Sequence, residues 1–407
     1  MSIAASKRVE FVPCEGQSWL RPWQMYADLR EYDPVHHVVP DETPRLDYFV
    51  LSRHADIYAA ARDTTTFSAN QGLTTSYGEL EKIGMADNPP MVMLDPPNHT
   101  DFRRLVAKGF TPRQVEAVEP AVRSFVVDRL ERLCAAGEGD IVTELFKPLP
   151  SMVVAHYLGV PEEDRDQFDG WTEAIVAANA FGDPLQAATA VTEMMTYFGA
   201  LIERRRAEPA DDTISHLVAA GMGADGDIAG LLGILGFAFT MVTGGNDTTT
   251  GMLGGAVQLL TERRDQRQLL IDHPALIPAA IDELLRLTSP VQGLARCTTR
   301  AVEMYGRVIP EGRKVLLLYG SGNRDSRVYG PDADELDVRR NPRQILTFSH
   351  GAHHCLGAAA ARMQARVALE ELLVRCPDFT VDLDGVVYAG GNYVRRPLHV
   401  PFRVSDK

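Results

Sequence analysis

From residue 228 to residue 246 no side chain carries a charge. A helix of that composition cannot lie exposed on a water-soluble surface. Two placements remain: a membrane span, or a helix buried on all sides inside a large soluble domain. Glycines at 230, 233 and 236 interrupt the run, which leads straight into Gly244-Gly245-Asn246-Asp247-Thr248. A span in lipid would not place that polar cluster in mid-helix. The expectation is therefore a central helix in a soluble fold, with no membrane span.

Enclosing such a helix takes a large core. The chain has 407 residues, 45% hydrophobic and 24% charged, which is ordinary globular composition with room to surround a sizeable cofactor. A formal charge of −14 disfavours nucleic acid and anionic membrane surfaces as partners. Cys14, Cys134, Cys297, Cys355 and Cys376 are scattered and odd in number, without CxxC spacing. Neither a disulfide framework nor a zinc ribbon is indicated, and a reducing cytoplasm fits. Residues 1–12 carry charges and lack the apolar core of a signal peptide.

Helical periodicity dominates beyond about residue 100. Thr111-Pro112 opens a helical stretch in which Pro120 suggests a division into two helices, closed by Gly137, Gly139 and Asp140. Further helices are expected over 152–157, 166–179, 194–206 and 274–287. Short strands are expected at 48–51, 302–308 and 315–318, with hairpins over 379–383, 386–388 and around Val400. No repeat, low-complexity tract or linker divides the chain. The expectation is one mainly α domain over residues 1–407, with a minor β portion at about 35–55, 295–320 and 378–402.

The chemistry concentrates in Phe348-Ser349-His350-Gly351-Ala352-His353-His354-Cys355-Leu356-Gly357, which precedes an alanine-rich helix. A cysteine at a helix amino terminus is expected to have a lowered pKa, because unpaired backbone N–H groups favour the thiolate that binds metal. With no second cysteine nearby, one thiolate ligand to a large cofactor is a better reading than tetrahedral zinc. Gly357 lets the backbone pass close to a flat group.

This segment resembles the haem-binding loop of the cytochrome P450 family, FxxGxHxCxGxxxAR. Phe348, Gly351, His353, Cys355, Gly357, Ala361 and Arg362 are in register, while Ser349 stands where the family usually has glycine. Four further segments match in order. Glu283-Leu284-Leu285-Arg286 resembles the ExxR pair, whose i and i+3 side chains share a helix face and can form a buried structural ion pair. Asn323-Arg324-Asp325 resembles the NRD stretch, and His99 with Arg103 the HxxxR pattern of a haem-flanking helix. Asp247-Thr248 resembles the acid–alcohol pair of the central helix. The arginine that often completes a triad with the ExxR pair is replaced by Glu335, leaving Arg339 or Arg340 as the substitute. Within the family the chain is similar to a mycobacterial member of unassigned substrate.

The resemblance implies haem b with Cys355 as the axial iron ligand, and His99, Arg103, Arg296 and His353 as partners of the haem propionates. Phe348, Gly351 and Gly357 would shape the cofactor loop, whereas His350 and His354 are read as loop or surface residues. Thr248 and Asp247 would manage protons on the distal face, where Gly244 and Gly245 permit a helix bulge or kink. Substrate walls are expected from the loop 72–93 and the region 171–181. Thr240, Thr243, Gly244, Val291, Gln292, Leu294, Asn392, Tyr393 and Val394 would complete them. Most are apolar or small, which suits an aromatic, lipid or steroid-like guest.

The chain lacks a flavin motif and an iron–sulfur cysteine cluster, so its electrons are expected from a ferredoxin and ferredoxin reductase. Arg103, Arg104, Lys108, Arg113, Arg339, Arg340, Arg343, Arg362 and Arg366 would form a basic docking patch. The implied activity is an O2-dependent monooxygenase. A peroxide-driven peroxygenase and a non-catalytic haem sensor are the alternatives.

Overall fold

The computed structural model describes residues 9–82, 84–181 and 187–404. Residues 1–8, 83, 182–186 and 405–407 lie outside this description. They include part of the amino terminus, one position of the loop 72–93 and the segment just after the 171–181 wall.

The fold is mainly helical, with small sheets, as the periodicity implies. Its axis is the helix Ile228–Glu262, 35 residues long, which at 1.5 Å per residue spans about 50 Å. Asp227 caps it by accepting from the Gly230 N–H. By length and apolarity this helix could cross a membrane, but here it packs among Pro148–Leu158, Arg165–Phe181, Ala188–Ala207, Ile277–Thr288 and Ala358–Arg375. The expectation of burial on all sides is corrected for its first half. Residues Asn246–Val257 are almost wholly buried, whereas Gly236, Thr240 and Thr243 are half-buried and Gly244 is exposed. The uncharged composition of that half serves an open inner face.

Pro112–Ala136 is one helix of 25 residues and not two. Thr111 caps its start and Gly137, in the left-handed conformation, ends it. Pro120 is accommodated because it faces solvent, while Val115, Val118, Val122, Val126 and Leu130 hold the opposite face in the core. That core also takes Leu369, Leu372 and Leu373 from the Ala358–Arg375 helix. Arg123 bonds Glu370 at 2.7 Å, and also bonds Glu371, across the same two helices.

The same pair of helices is joined by Cys134 and Cys376, which form a disulfide with Cα atoms 7.0 Å apart. This corrects the reading of the cysteines as unpaired. The two are separated by 242 residues, so no spacing rule could reveal them. The argument from cysteine usage to a reducing compartment loses its basis.

The main sheet has the spatial order Val35–Val38, Tyr48–Leu51, Lys314–Leu317, Leu294–Thr298, Phe67–Ser68. Only the Tyr48–Leu51/Lys314–Leu317 pairing is parallel. Residues 302–308 form a hairpin, Val302–Met304 with Arg307–Ile309, and not one strand. Glu138–Asp140, read as a helix stop, pairs as a strand with Pro401–Val404, which also pairs with Phe379–Val381.

Candidate active site

Cys355 sits three residues before the start of the Ala358–Arg375 helix, and its loop is closed by the Cys355 N–H donating to the Phe348 carbonyl at 2.8 Å. Two positions of this loop need the left-handed region, Ser349 at φ 55° and Gly351 at φ 72°. A Cβ on Gly351 would also lie 3.0 Å from the Arg62 Cα, so only glycine lets the loop lie against the His54–Arg62 helix. Ser349 holds its conformation with a hydroxyl that accepts from the Tyr319 phenol at 3.2 Å.

The Cys355 thiol is free, set deep among protein atoms yet open to the space beside it. Its pKa is raised, because burial outweighs the Gly357 N–H and the charges of Arg103 and Arg362. This corrects the expectation of a lowered value: the helix end alone does not ionise this sulfur. A metal cation bound to it would.

His99, Arg103, Arg296 and His353 come together as expected. The rings of His99 and His353 lie 4.2 Å apart, and both His99 Nδ1 and His353 Nε2 are buried without a hydrogen-bond partner. Burial first, then Arg296, His99 and Arg103, push His353 down to about 3. Burial and Arg103 also lower His99, against the pull of Asp95. Arg296 is buried, and among the described residues its side chain bonds only a backbone carbonyl, that of Ala295. Neither Arg296 nor Arg103 has a carboxylate partner among the described residues. A basic cluster so poor in acids fits a ligand that brings its own negative charges.

The space beside the sulfur suits a flat ligand. A Cβ placed on Gly357 or on Gly244 would meet nothing within 4 Å. Leu356 packs in the same apolar cluster as Ile234, Phe237, Ala238 and Val242 of the long helix, so thiol loop and helix border one interior. The donor set, the orphaned ring nitrogens and this open strip fit haem b. Among the described residues no group of three His, Cys, Asp or Glu side chains could hold a separate metal ion. His350 is occupied with the Ile345 carbonyl at 3.0 Å and packs on Tyr58.

Across from the sulfur, of the bulge or kink that Gly244–Gly245 would permit, no bulge is formed: the helix is α-helical throughout. Gly245 packs tightly instead, since a Cβ there would lie 2.7 Å from Val154. The Thr248 hydroxyl donates to the Gly244 carbonyl at 2.8 Å, and Thr240 and Thr243 likewise bond carbonyls one turn back. Asp247 is buried, with Arg396 Nε 2.9 Å from its Oδ1. The alignment is poor: Asp247 Oδ1 and Arg396 Nη2 both lack a hydrogen-bond partner. Burial pushes this carboxyl up to about 6, against the lowering charges of Arg396 and Lys147. The sequence reading missed Arg396, whose signal was two arginines, Arg395-Arg396, inside an apolar carboxyl-terminal hairpin.

The expected substrate wall divides. Thr240, Thr243 and Gly244 line the open side of the helix, while Val291, Leu294 and Val394 are half-buried, with Val291 bridged to Val394. Gln292 is corrected: its amide donates to the Ser289 carbonyl at 2.6 Å and its oxygen accepts from Tyr26. With Asn392 and Tyr393 it borders a separate small cavity alongside Cys14, Trp19 and Tyr26. Trp171 also turns away, donating to Glu193 at 2.9 Å.

Glu283 and Arg286 are fully buried and joined by two bonds of 2.7 Å. Arg340 completes the triad at 3.0 Å from Glu283, which settles the choice between Arg339 and Arg340. Glu335 instead pairs with Arg263 at the surface. Asn323 ties this network to the thiol loop by donating to Thr347 and accepting from the Leu346 N–H.

The cytochrome P450 family model matches residues 257–384. Over 398 residues the chain is 70% identical to Cytochrome P450 130 of Mycobacterium tuberculosis, covering 98% of each. It is 34% identical to the Vitamin D(3) 25-hydroxylase of Pseudonocardia autotrophica, over 96% of each. The solved structure of the Bacillaene Polyketide Synthase Cytochrome P450 PksS from Bacillus subtilis 168 superposes with a TM-score of 0.86 at 28% identity, over 98% of this chain and 100% of that one. With a similarity that runs the length of the chain, and a cysteine loop, basic cluster and acid–alcohol helix facing one interior, this protein belongs to the cytochrome P450 family of haem b monooxygenases.

Proposed function

We propose that Cys355 is the thiolate ligand of the haem iron and that the enzyme oxidises a small, mostly apolar substrate of aromatic, lipid or steroid-like character. The observation behind this reading is the free Cys355 sulfur facing an interior that also holds acid-poor His99, Arg103, Arg296 and His353. Those four side chains would bind the two propionates, and Phe348, Gly351 and Gly357 would shape the loop against the ring. Haem supplies O2 activation: one oxygen atom enters a C–H or C=C bond, and the other leaves as water with two electrons and two protons.

The remaining work falls to side chains. Thr248, bonded to the Gly244 carbonyl, would accept a proton and pass it on. Asp247, raised by burial to about 6, would refill it. Thr240 and Thr243 turn their hydroxyls to carbonyls, so they present methyl groups to the substrate space. Val291, Leu294 and Val394 add apolar surface. The vitamin D(3) hydroxylase among the relatives supports a lipid-like guest.

Electrons would come from a ferredoxin and its reductase, which fits a cytoplasmic site of action. The docking patch is smaller than its sequence implies. Arg340 turns inward to Glu283, Arg366 pairs with Glu119 and Glu370, Arg362 with Asp282, and Arg104 with Asp101. Lys108, Arg113, Arg339 and Arg343 are exposed and have no ion pair among the described residues. These four would supply the steering charge.

The test of the ligand is the optical spectrum of the reduced protein under carbon monoxide. The red-shifted thiolate band should appear in the wild type and vanish in Cys355→His; its absence in the wild type refutes the assignment. A library screen for displacement of iron-bound water, followed by turnover with a surrogate ferredoxin, then identifies the substrate class. Thr248→Ala should divert electrons from product, whereas a peroxide-driven enzyme would be indifferent to it. A sensor would show no substrate-dependent consumption of electrons.

A further inference from the structure

The acid of the central helix is not held by its own helix. Asp247 faces Arg396, which lies next to the strand Pro397–His399 of the carboxyl-terminal hairpin. Arg396 is itself almost fully buried, at 3% exposure, so its charge has little water to screen it. Its backbone is tightly placed. The Arg396 carbonyl accepts from the Ala389 N–H at 3.0 Å, and the neighbouring Arg395 N–H donates to the Pro290 carbonyl at 2.8 Å. The fit between the hairpin and the helix is close, since a Cβ on Gly251 would lie 2.8 Å from the Arg395 carbonyl oxygen.

The guanidinium thus reaches the carboxylate from a rigid support, at 2.9 Å, yet aligned too poorly for a full hydrogen bond. A well-formed bidentate pair would lock the acid in its charged form. An uncompensated buried carboxyl would stay protonated and give up its proton reluctantly. The observed contact is intermediate, stabilising the anion by charge while leaving Oδ1 without a committed donor. Among the described residues the other cation acting on this carboxyl is Lys147, which is half-exposed and already paired with Glu173 at 2.6 Å.

We infer that Arg396 is the positioning residue of the proton relay: it keeps Asp247 able to both release and regain a proton beside Thr248. Since Arg396 lies two residues after Val394, which is bridged to Val291, the relay is tied to the same hairpin that borders the substrate space. The inference rests on the reading of Asp247 as the relay acid.

Infrared spectroscopy of the haem-loaded protein across pH tests it without turnover. The band of a protonated buried carboxyl that disappears in Asp247→Asn reports Asp247. In Arg396→Met its titration should move up by about one pH unit or more, because an opposing charge is lost. Arg396→Lys should return most of that shift. If the band titrates identically in wild type, Arg396→Met and Arg396→Lys, the inference is overturned. A second measurement separates it from the parent reading: NADPH oxidation with a surrogate ferredoxin, in water and in D2O. Asp247→Asn should enlarge the solvent isotope effect, and Arg396→Met on that background should add nothing further. An unchanged isotope effect in Asp247→Asn removes the relay role of Asp247 and the inference with it. An enlarged effect in Asp247→Asn, together with an unshifted band in Arg396→Met, removes only the inference.

Discussion

Glu283→Gln removes the negative charge that pairs with the buried Arg286 and also bonds the half-buried Arg340. In the wild type Glu283 accepts two 2.7 Å bonds from Arg286 and one of 3.0 Å from Arg340, and it is wholly shielded from water. Arg286 would keep the Asn323 and Ala333 carbonyls, at 2.7 and 2.6 Å. Dipoles of that kind satisfy its N–H groups without neutralising it. Breaking a buried pair from one side costs about 3–5 kcal/mol, a large share of the roughly 5–15 kcal/mol that separates a folded chain from its unfolded state. Arg340→Met is the contrast. It leaves Glu283 and Arg286 paired, and Asp332, which Arg340 also bonds, is exposed and returns to water. Its cost should be about 1–2 kcal/mol. Urea unfolding at fixed free haem, with the midpoint read at constant slope, measures both. A Glu283→Gln midpoint equal to that of Arg340→Met would refute the ranking, and one equal to wild type would refute the pair's structural role.

Three further outcomes follow from particular side chains. Ser349→Ala and Ser349→Gly lose the same bond from Tyr319, but alanine keeps the cost of φ 55° and glycine does not; the glycine variant should be the more stable of the two by about 1 kcal/mol in urea unfolding, and equal stabilities would contradict the strained geometry. Asp247 has a folded pKa raised to about 6, so its ionisation opposes folding as pH rises from the unfolded carboxylate range through 6, and the penalty is full above that. Asp247→Asn should therefore exceed wild type by about 2–3 kcal/mol at pH 7.5, and the difference should vanish near pH 3.5; a difference independent of pH would disprove the burial argument. Reversing Arg113 and Arg343 together to glutamate should slow stopped-flow reduction by a ferredoxin about tenfold at low salt and little at high salt, whereas a wild-type rate insensitive to salt would rule out steering by this face.

What could be read from sequence was what neighbours in sequence carry. The register of Phe348 to Arg362 identifies the thiol loop because every residue of the motif lies within one loop and one helix turn. Glu283 and Arg286 are legible for the same reason, since a separation of three residues places both on one helix face. Strand positions such as Tyr48–Leu51 follow from a short apolar run. The uncharged stretch of the long helix identified the axis of the fold, though not which side stays open. Pro120 misled because a proline that faces solvent within a well-packed helix is tolerated.

Sequence alone determined the family, the cofactor and the thiol on which the chemistry is proposed to turn, because those are written in contiguous motifs. Tertiary structure decided that Arg340 and not Arg339 meets Glu283, that Gln292 turns away from the substrate space, that Cys134 finds Cys376, and that Arg396 faces Asp247. It also reversed the expected sign at Cys355, where burial outweighs the helix end. The physical reason is common to all five. Coulomb energy, desolvation and packing depend on distance in space and on exclusion of water, and neither quantity exists until the chain has closed on itself.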